Sequence, residues 1–174
     1  MSQKLNGIDV EGLNKMLEEI SKEKEKVKEL SVWRTRVRWL GGFKSRAYMR
    51  RHALDVDEVS DISGIDTAQN AVETLLASLG ACITTTFILI ATKRNIRVDN
   101  LELAIEGYIE NILVFLGIEK EGNPGFNNII VTAYIKSEAD GKLLEELFIE
   151  AIRASPVFNT LAKGSQIDYK IKTF

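Results

Sequence analysis

The pattern of hydrophobic and polar positions predicts helices in three segments of the chain. Apolar residues recur every three or four positions after Asp9, which predicts an amphipathic helix that Asp9 caps and that runs to about Leu30. The same spacing after Asp140 predicts a helix that stops at Ser155, because the residue before Pro156 is disfavoured in a helix. The third helical segment lies between these two and is apolar on every side.

This central segment carries no charged residue over 19 positions, from 74 to 92, and we expect its helix to end near Arg94. Nineteen uncharged positions approach the roughly 20 residues that a membrane-spanning helix needs. Small and hydroxylated residues occupy the middle of the run, and amphipathic strands are predicted on both sides of it. The sequence therefore favours a buried core helix over a membrane span.

Strands are predicted in six further segments, at residues 33–39, 46–54, 101–109, 112–118, 129–135 and 167–171. A period of two residues indicates the first, third, fifth and sixth of them. Gly41 and Gly42 can take the positive φ of a hairpin turn between the first two. The segment 112–118 is expected to pair back with the strand before it, whose acidic side faces water. Because the strands come in hairpins, the predicted fold class is α+β with mainly antiparallel sheet, in the order α-ββ-α-βββ-α-β.

Composition limits the classes of function. The 174 residues are 45% apolar and 28% charged, with a net charge of −2, which fits one globular domain and argues against a globally basic nucleic-acid binder. One cysteine and one histidine are too few for a zinc site of several thiolates or imidazoles, so we expect no metal and no cofactor. The low cysteine count, and the lack of a continuous apolar run from Met1 to Asn14, predict a cytoplasmic protein.

Cys82 is the only cysteine, and we expect it to lie about four turns into the apolar helix. A buried cysteine often serves only as a small hydrophobe. A reactive thiol needs a lowered pKa, which a nearby cation or a helix N-terminus provides. The dipole of its own helix does not act on Cys82 at that depth, so a cation must come from elsewhere.

The first predicted hairpin is the candidate source of that cation. Its basic residues, with no acid among them between positions 32 and 54, are Arg34, Arg36, Arg38, Lys44, Arg46, Arg50 and Arg51. Three interpretations stay open: a solvated or salt-bridged surface, a partner for an anion or thiolate, and a nucleic-acid platform. The nucleic-acid platform is disfavoured because Trp33 and Trp39 alternate with the neighbouring arginines and so lie on the opposite face of the strand, whereas such platforms combine aromatic and basic residues on one face.

Two segments resemble the signatures of the OsmC/Ohr family (osmotically inducible protein C and organic hydroperoxide resistance proteins). Residues 66–82, DTAQNAVETLLASLGAC, resemble the central-helix signature N-P-x-E-L-L-A-A-x-x-A-C. Residues 155–161, SPVFNTL, resemble the second signature, C-P-V-x-x-x-L. On this resemblance, residues 31–174 form an OsmC-like domain of a single-cysteine subgroup, and residues 1–30 are an N-terminal amphipathic helix extension.

The resemblance implies an intertwined homodimer whose two long central helices pack together inside wrapped sheets, with a thiol site at each subunit interface. It also implies peroxiredoxin-type activity in the response to oxidative stress. The thiolate of Cys82 would attack the O–O bond of an organic hydroperoxide and become a sulfenic acid. The implied partners are a second copy of the chain, the hydroperoxide and an external thiol or dithiol reductant, without nucleic acid or membrane.

The second signature departs from the family pattern at its first position. Ser155 stands where the second cysteine normally stands, so a disulfide within the chain cannot form and an external thiol must resolve the sulfenic acid.

The charged residues of the family's site are also displaced. Phe43 follows the glycine pair where the family has its arginine, which leaves Lys44 and Arg46 as the nearest cations. Glu73 precedes Cys82 by nine residues, which places the two on opposite faces of one continuous helix. Glu73 reaches the thiol only if the helix begins after it or if the partner subunit supplies it.

Two hypotheses of function follow. The leading one is thiol-dependent reduction of organic hydroperoxides, with Cys82 as nucleophile and Arg46 or Lys44 as its charge partner. It also expects an apolar pocket that favours bulky hydroperoxides and is lined by Leu75, Leu79, Phe87 and the residues around Val157 and Phe158. The alternative is a non-catalytic OsmC-like protein that binds a small apolar or anionic ligand at the dimer interface, with Cys82 merely buried.

Overall fold

The computed structural model describes residues 4–23, 25, 27 and 31–173. Contacts divide the chain into two compact units, Met1–Ala77 and Ser78–Phe174. Both contain antiparallel strands and helices, which confirms the predicted α+β class.

The first unit begins with a small hairpin of β1 (Lys4–Leu5) and β2 (Ile8–Asp9), which the sequence did not predict. Helix α1 (Val10–Lys22) follows directly. Asp9 caps it as predicted, since its carboxylate accepts a hydrogen bond from the Gly12 N–H at 3.2 Å. The helix ends at Lys22, and most of the predicted continuation to residue 30 lies outside the described residues.

Three strands then form an antiparallel sheet in the order β3 (Arg36–Gly41), β4 (Lys44–Met49) and β5 (His52–Val56). The predicted glycine turn lies between β3 and β4, with φ of 118° at Gly41 and 53° at Gly42. The single strand predicted at 46–54 is wrong. Arg50 adopts a left-handed conformation, with φ of 54°, and turns the chain so that this segment contributes to two strands.

Residues 57–70 form a loop with one 3-10 turn, Ser60–Ile62. Asp57 closes this loop and is only 1% exposed. Its carboxylate accepts hydrogen bonds from the Glu58 N–H at 2.9 Å and from the N–H and hydroxyl of Thr67 at 3.1 and 2.8 Å. The hydrogen bonds from Thr67 hold the pKa of Asp57 below its ordinary value.

Helix α2 (Ala71–Lys93) is the predicted apolar helix, and it ends one residue before Arg94. Among the described residues it alone is long and apolar enough to cross a membrane. Within the second unit, its Phe87 packs against the Phe148 ring at 6.2 Å between centroids and belongs to a core with Leu147. These contacts identify α2 as a core helix.

The second unit also contains an antiparallel pair, β6 (Asn100–Ile109) and β7 (Phe126–Lys136), with helix α3 (Ile112–Phe115) between them. The leucines and isoleucines of β6 are half-buried and its glutamates are exposed, as predicted. Gly80 lets α2 approach β6 closely, because a Cβ there would lie 2.7 Å from the Ile105 Cδ1 atom.

Two further helices complete this unit, α4 (Gly141–Ala154) and α5 (Pro156–Lys163). Asp140 caps α4 as predicted, and its carboxylate accepts hydrogen bonds from the N–H groups of Lys142 and Leu143. The chain does leave the helix at Ser155, but it starts α5 at once. Helix α5 was not predicted from the sequence.

Two predicted strands of the second unit are wrong. Residues 112–118 form α3 and a turn, because the Asn111 side chain caps a helix there by accepting a hydrogen bond from the Leu113 N–H at 3.0 Å. The predicted strand at 129–135 therefore pairs with β6 in its place. Residues 164–173 have no regular structure, and Ile167, Tyr169 and Ile171 are 86%, 85% and 82% exposed.

Candidate functional site at Cys82 and Ser155

Cys82 and Ser155 are 73 positions apart in the sequence, and their side chains meet in the second unit. The Ser155 hydroxyl donates a hydrogen bond to the Cys82 Sγ atom over 3.2 Å. Ser155 is completely buried and Cys82 is half-buried. The structure therefore brings together two of the residues that the sequence analysis selected for the site.

Cys82 is held by the middle of α2. It lies 11 residues after Ala71, about three turns into the helix rather than the expected four. The hydroxyls of Thr85 and Thr86, on the following turn, donate to backbone carbonyls of the preceding turn, that of Thr86 to the Cys82 carbonyl at 2.8 Å. These two hydroxyls are thus directed at the backbone, whereas the Ser155 hydroxyl is directed at the sulfur.

Ser155 occupies the junction of two helices, as the C-cap of α4 and the N-cap of α5. Its backbone is extended, with φ of −72° and ψ of 119°, as the residue before Pro156 requires. Its Oγ atom accepts the Phe158 N–H at 3.3 Å while it donates to the sulfur. Ser155 therefore links the thiol to the N-terminus of a helix, where the helix dipole favours negative charge.

This link was not predicted from the sequence, because no helix was expected directly after residue 155. The available signal was Ser155 followed by Pro156, an N-cap residue followed by a proline at the first helical position.

The predicted cations are engaged within the first unit. The Arg46 guanidinium binds the Asp55 carboxylate through Nε at 2.5 Å and Nη2 at 2.8 Å. This pairing raises the pKa of Arg46 and lowers that of Asp55. The Lys44 Nζ atom donates to the Thr67 hydroxyl at 3.2 Å, which itself donates to the Asp57 carboxylate. Both cations thus have acidic groups of the first unit nearby.

Glu73 takes part in the cap of α2. Its carboxylate accepts the Asn70 N–H, and the Asn70 side chain accepts the Glu73 N–H, both at 2.8 Å. Because α2 begins at Ala71, Glu73 lies inside the same helix as Cys82. The helix does not begin after Glu73, so supply by a partner subunit is the remaining way for this carboxylate to reach a thiol.

A cavity of about 270 Å³ lies in the second unit. Its mostly apolar lining consists of Leu79, Phe126, Asn127, Asn128, Ile129, Val131, Phe158, Leu161 and Ala162. Leu79 precedes Cys82 by three residues on α2, and the Phe158 N–H binds Ser155, so the wall includes residues next to the thiol and hydroxyl. Leu79 and Phe158 had been predicted to line such a pocket. Phe87, also predicted, is instead fully buried in the core.

Fold and site together define an α+β protein with antiparallel strands, a long apolar helix and a thiol that meets a hydroxyl at a helix N-terminus. A family model described as OsmC-like protein matches residues 64–170, more than half of the chain. The chain therefore belongs to the OsmC-like protein family. No curated protein matches it significantly.

Solved structures share this fold. An OsmC-like protein from Mycoplasma pneumoniae is 18% identical, with a TM-score of 0.66, and the match covers 77% of this chain and 89% of that one. An organic hydroperoxide resistance protein OsmC from Legionella pneumophila is 17% identical, with a TM-score of 0.57 and coverage of 75% and 90%. A putative organic hydroperoxide resistance protein from Vibrio cholerae, with captopril bound in one of its active sites, is 14% identical, with a TM-score of 0.56 and coverage of 77% and 88%.

Proposed function

We propose that this protein is a thiol-dependent peroxidase that reduces organic hydroperoxides, with Cys82 as its nucleophile. The observation that carries the proposal is the 3.2 Å hydrogen bond from the buried Ser155 hydroxyl to the Cys82 Sγ atom. It places residue 155, where the family signature has its second cysteine, directly beside the thiol. The names of the Legionella and Vibrio neighbours support the same chemistry. We place the protein in the cytoplasm, in the response to oxidative stress.

The proposed reaction has two stages. The Cys82 thiolate attacks one oxygen of the hydroperoxide, so that an S–O bond forms as the O–O bond breaks, and the leaving alkoxide takes up a proton. The sulfur is oxidised by two electrons to a sulfenic acid, and the hydroperoxide is reduced to an alcohol. An external thiol then condenses with the sulfenic acid and releases water, and a second thiol breaks the mixed disulfide and restores Cys82.

Ser155 and the charged residues have separate parts in this proposal. The Ser155 hydroxyl stabilises the thiolate by direct donation, a hydrogen bond that is stronger to a charged acceptor. Arg46, Lys44 and Glu73 are the proposed charged residues of the site. Since Arg46 and Lys44 each have an acidic group nearby, we expect either cation to contribute less than Ser155.

We also propose that the protein works as a homodimer. Only 33% of the most apolar stretch of α2 is buried within one chain. Its exposed strip includes Ala81 and Thr85, whose small side chains allow a second helix to approach closely.

The alternative function is ligand binding without catalysis. The cavity beside the site favours it, because an apolar lining with Asn127 and Asn128 suits a small apolar ligand with a polar group. In the Vibrio neighbour, captopril is bound in one of the active sites. On this alternative Cys82 is merely buried and does not react.

The two functions are separated by trapping the sulfenic acid. The protein is treated with one equivalent of cumene hydroperoxide and then with dimedone, and the adduct is located by mass spectrometry. We expect an adduct on Cys82, and continuous consumption of hydroperoxide only when a small thiol is added. The Cys82→Ser protein is the control and should consume none. If the unmodified protein forms no adduct, the peroxidase proposal fails and ligand binding becomes the better account.

A second variant tests the role of position 155. Ser155→Cys should shorten the life of the sulfenic acid by forming a disulfide within the chain, because the two side-chain atoms are already 3.2 Å apart. An adduct that persists equally in Ser155→Cys and in the unmodified protein would contradict the proposed proximity.

A further inference from the structure

The position of Ser155 depends on the junction between α4 and α5. The last carbonyls of a helix lack N–H partners within it, and the first N–H groups of the next helix lack acceptors. At this junction the Ser155 hydroxyl satisfies the Phe158 N–H. The carbonyls on the other side of the junction need donors from elsewhere.

Asn159 supplies these donors from one side chain. Its Nδ2 atom donates to the Arg153 carbonyl at 2.9 Å and to the Ser155 carbonyl at 2.8 Å. The Asn159 N–H also donates to the Ser155 carbonyl, at 3.1 Å. An amide group carries two hydrogens, so this half-buried side chain spans the last turn of α4 and the first turn of α5.

The next residue makes a different kind of contact. The Thr160 hydroxyl donates to the Pro156 carbonyl at 2.9 Å, and both residues belong to α5. That bond stabilises α5 without connecting it to α4. Asn159 and Thr160 therefore form a natural pair for experiment, since each donates from its side chain to a backbone carbonyl four or more residues earlier.

We infer that Asn159 is a positioning residue that holds the side chain at position 155 against the Cys82 sulfur. Its action passes through the backbone of residue 155, so it is independent of whether that residue carries a hydroxyl or a thiol. The role of Asn159 in catalysis rests on the proposed function. The position of side chain 155 relative to the Cys82 sulfur can be measured without hydroperoxide.

The measurement uses the Ser155→Cys protein, in which the disulfide between Cys82 and the introduced cysteine is equilibrated with reduced and oxidised glutathione. The reduction potential of this pair reports how well the two side chains are held together. We expect Asn159→Ala to weaken the disulfide about tenfold, a shift of ~30 mV toward easier reduction. Thr160→Ala is the matched control and should leave the potential unchanged.

Asn159→Asp is the second variant, since it keeps the shape of the side chain and removes both amide hydrogens. We expect it to shift the potential as Asn159→Ala does, and near-ultraviolet circular dichroism establishes that each variant keeps its packing. Equal potentials for the Asn159 and Thr160 variants would overturn the inference. So would failure of Ser155→Cys to form any bridge. A normal bridge without a dimedone adduct on the unmodified protein would remove the peroxidase proposal and leave the positioning role intact.

Discussion

The two units of the chain are stabilised by different interactions. In the part of the chain that the structure describes, every fully buried large apolar side chain lies in the second unit, with Ile83, Phe87 and Leu147 at 0% exposure. Among the described residues of the first unit, the most buried side chain is a carboxylate, that of Asp57. Apolar side chains of the sheet in the first unit are exposed to solvent, with Trp39 72% exposed.

The two units therefore differ in how much apolar surface they bury. Burial of apolar surface supplies the main favourable free energy of folding, at about 25 cal/mol per Å². The second unit obtains it from its own residues, whereas the first unit relies on backbone pairing and hydrogen-bonded charges. Large exposed apolar patches of this kind mark contact surfaces, which agrees with the proposed homodimer.

The largest predicted effect tests the core of the second unit. Phe87→Ala removes a fully buried ring and leaves a cavity, so the free energy of unfolding should fall by ~3–5 kcal/mol. Phe43→Ala is the control in the first unit, where the ring is 57% exposed, and should change stability by less than about 0.5 kcal/mol. Urea unfolding measures both. Similar losses for the two variants would contradict the contrast between the units.

The second prediction concerns the exposed strip of α2. Ala81→Lys places a charge on this strip, and we expect it to weaken the homodimer by about 2 kcal/mol or more, the scale of an interface hot spot. Ala104→Lys, on the exposed side of β6, is the control. Light scattering at micromolar concentration should give a dimer for the control and a smaller mass for Ala81→Lys. A monomer for the unmodified protein would remove the dimer proposal.

Elements decided by local chemistry were predicted well from the sequence. Asp9 and Asp140 cap their helices as expected, because an N-cap depends on the next three residues alone. The end of α2 and the strand β6 followed from periodicity. The wrong elements depended on single residues: Arg50 turns the chain by its φ, and Asn111 starts a helix where a strand was expected.

The site was predictable only in part. The choice of Cys82 and Ser155 came from the family signatures, and the structure adds their contact. The Arg46–Asp55 pair could not be predicted, because it arises from the register of β4 on β5, where the two residues are directly opposite. The strand predicted at residues 46–54 ended before Asp55, so no acid lay opposite the arginine in the predicted hairpin.

The third prediction tests whether the cavity of the second unit selects bulky hydroperoxides over hydrogen peroxide. Ala162→Phe fills part of the 270 Å³ space, and we expect it to slow reaction with cumene hydroperoxide about tenfold, or ~1.4 kcal/mol of activation free energy, while hydrogen peroxide reacts unchanged. Ala104→Phe, outside the cavity, serves as the control. Stopped-flow rates for both peroxides provide the comparison. An equal loss for the two substrates would show that the cavity does not select substrate.

The smallest predicted effect tests the charged interior of the first unit. The hydrogen bonds from Thr67 hold the pKa of Asp57 below its ordinary value, so this carboxylate stabilises the fold above its unfolded-state pKa of about 3.9. That contribution is lost as the pH falls through the lower pKa of the folded state. Asp57→Asn should therefore lower the melting temperature at pH 6, and the difference from the unmodified protein should shrink as the pH falls below about 4.

Asp61→Asn, at an exposed carboxylate of the same loop, is the control. Melting curves at intervals from about pH 6 to about pH 3 measure the trend, and a difference that stays constant over this range would show that the ionised form of Asp57 does not stabilise the loop.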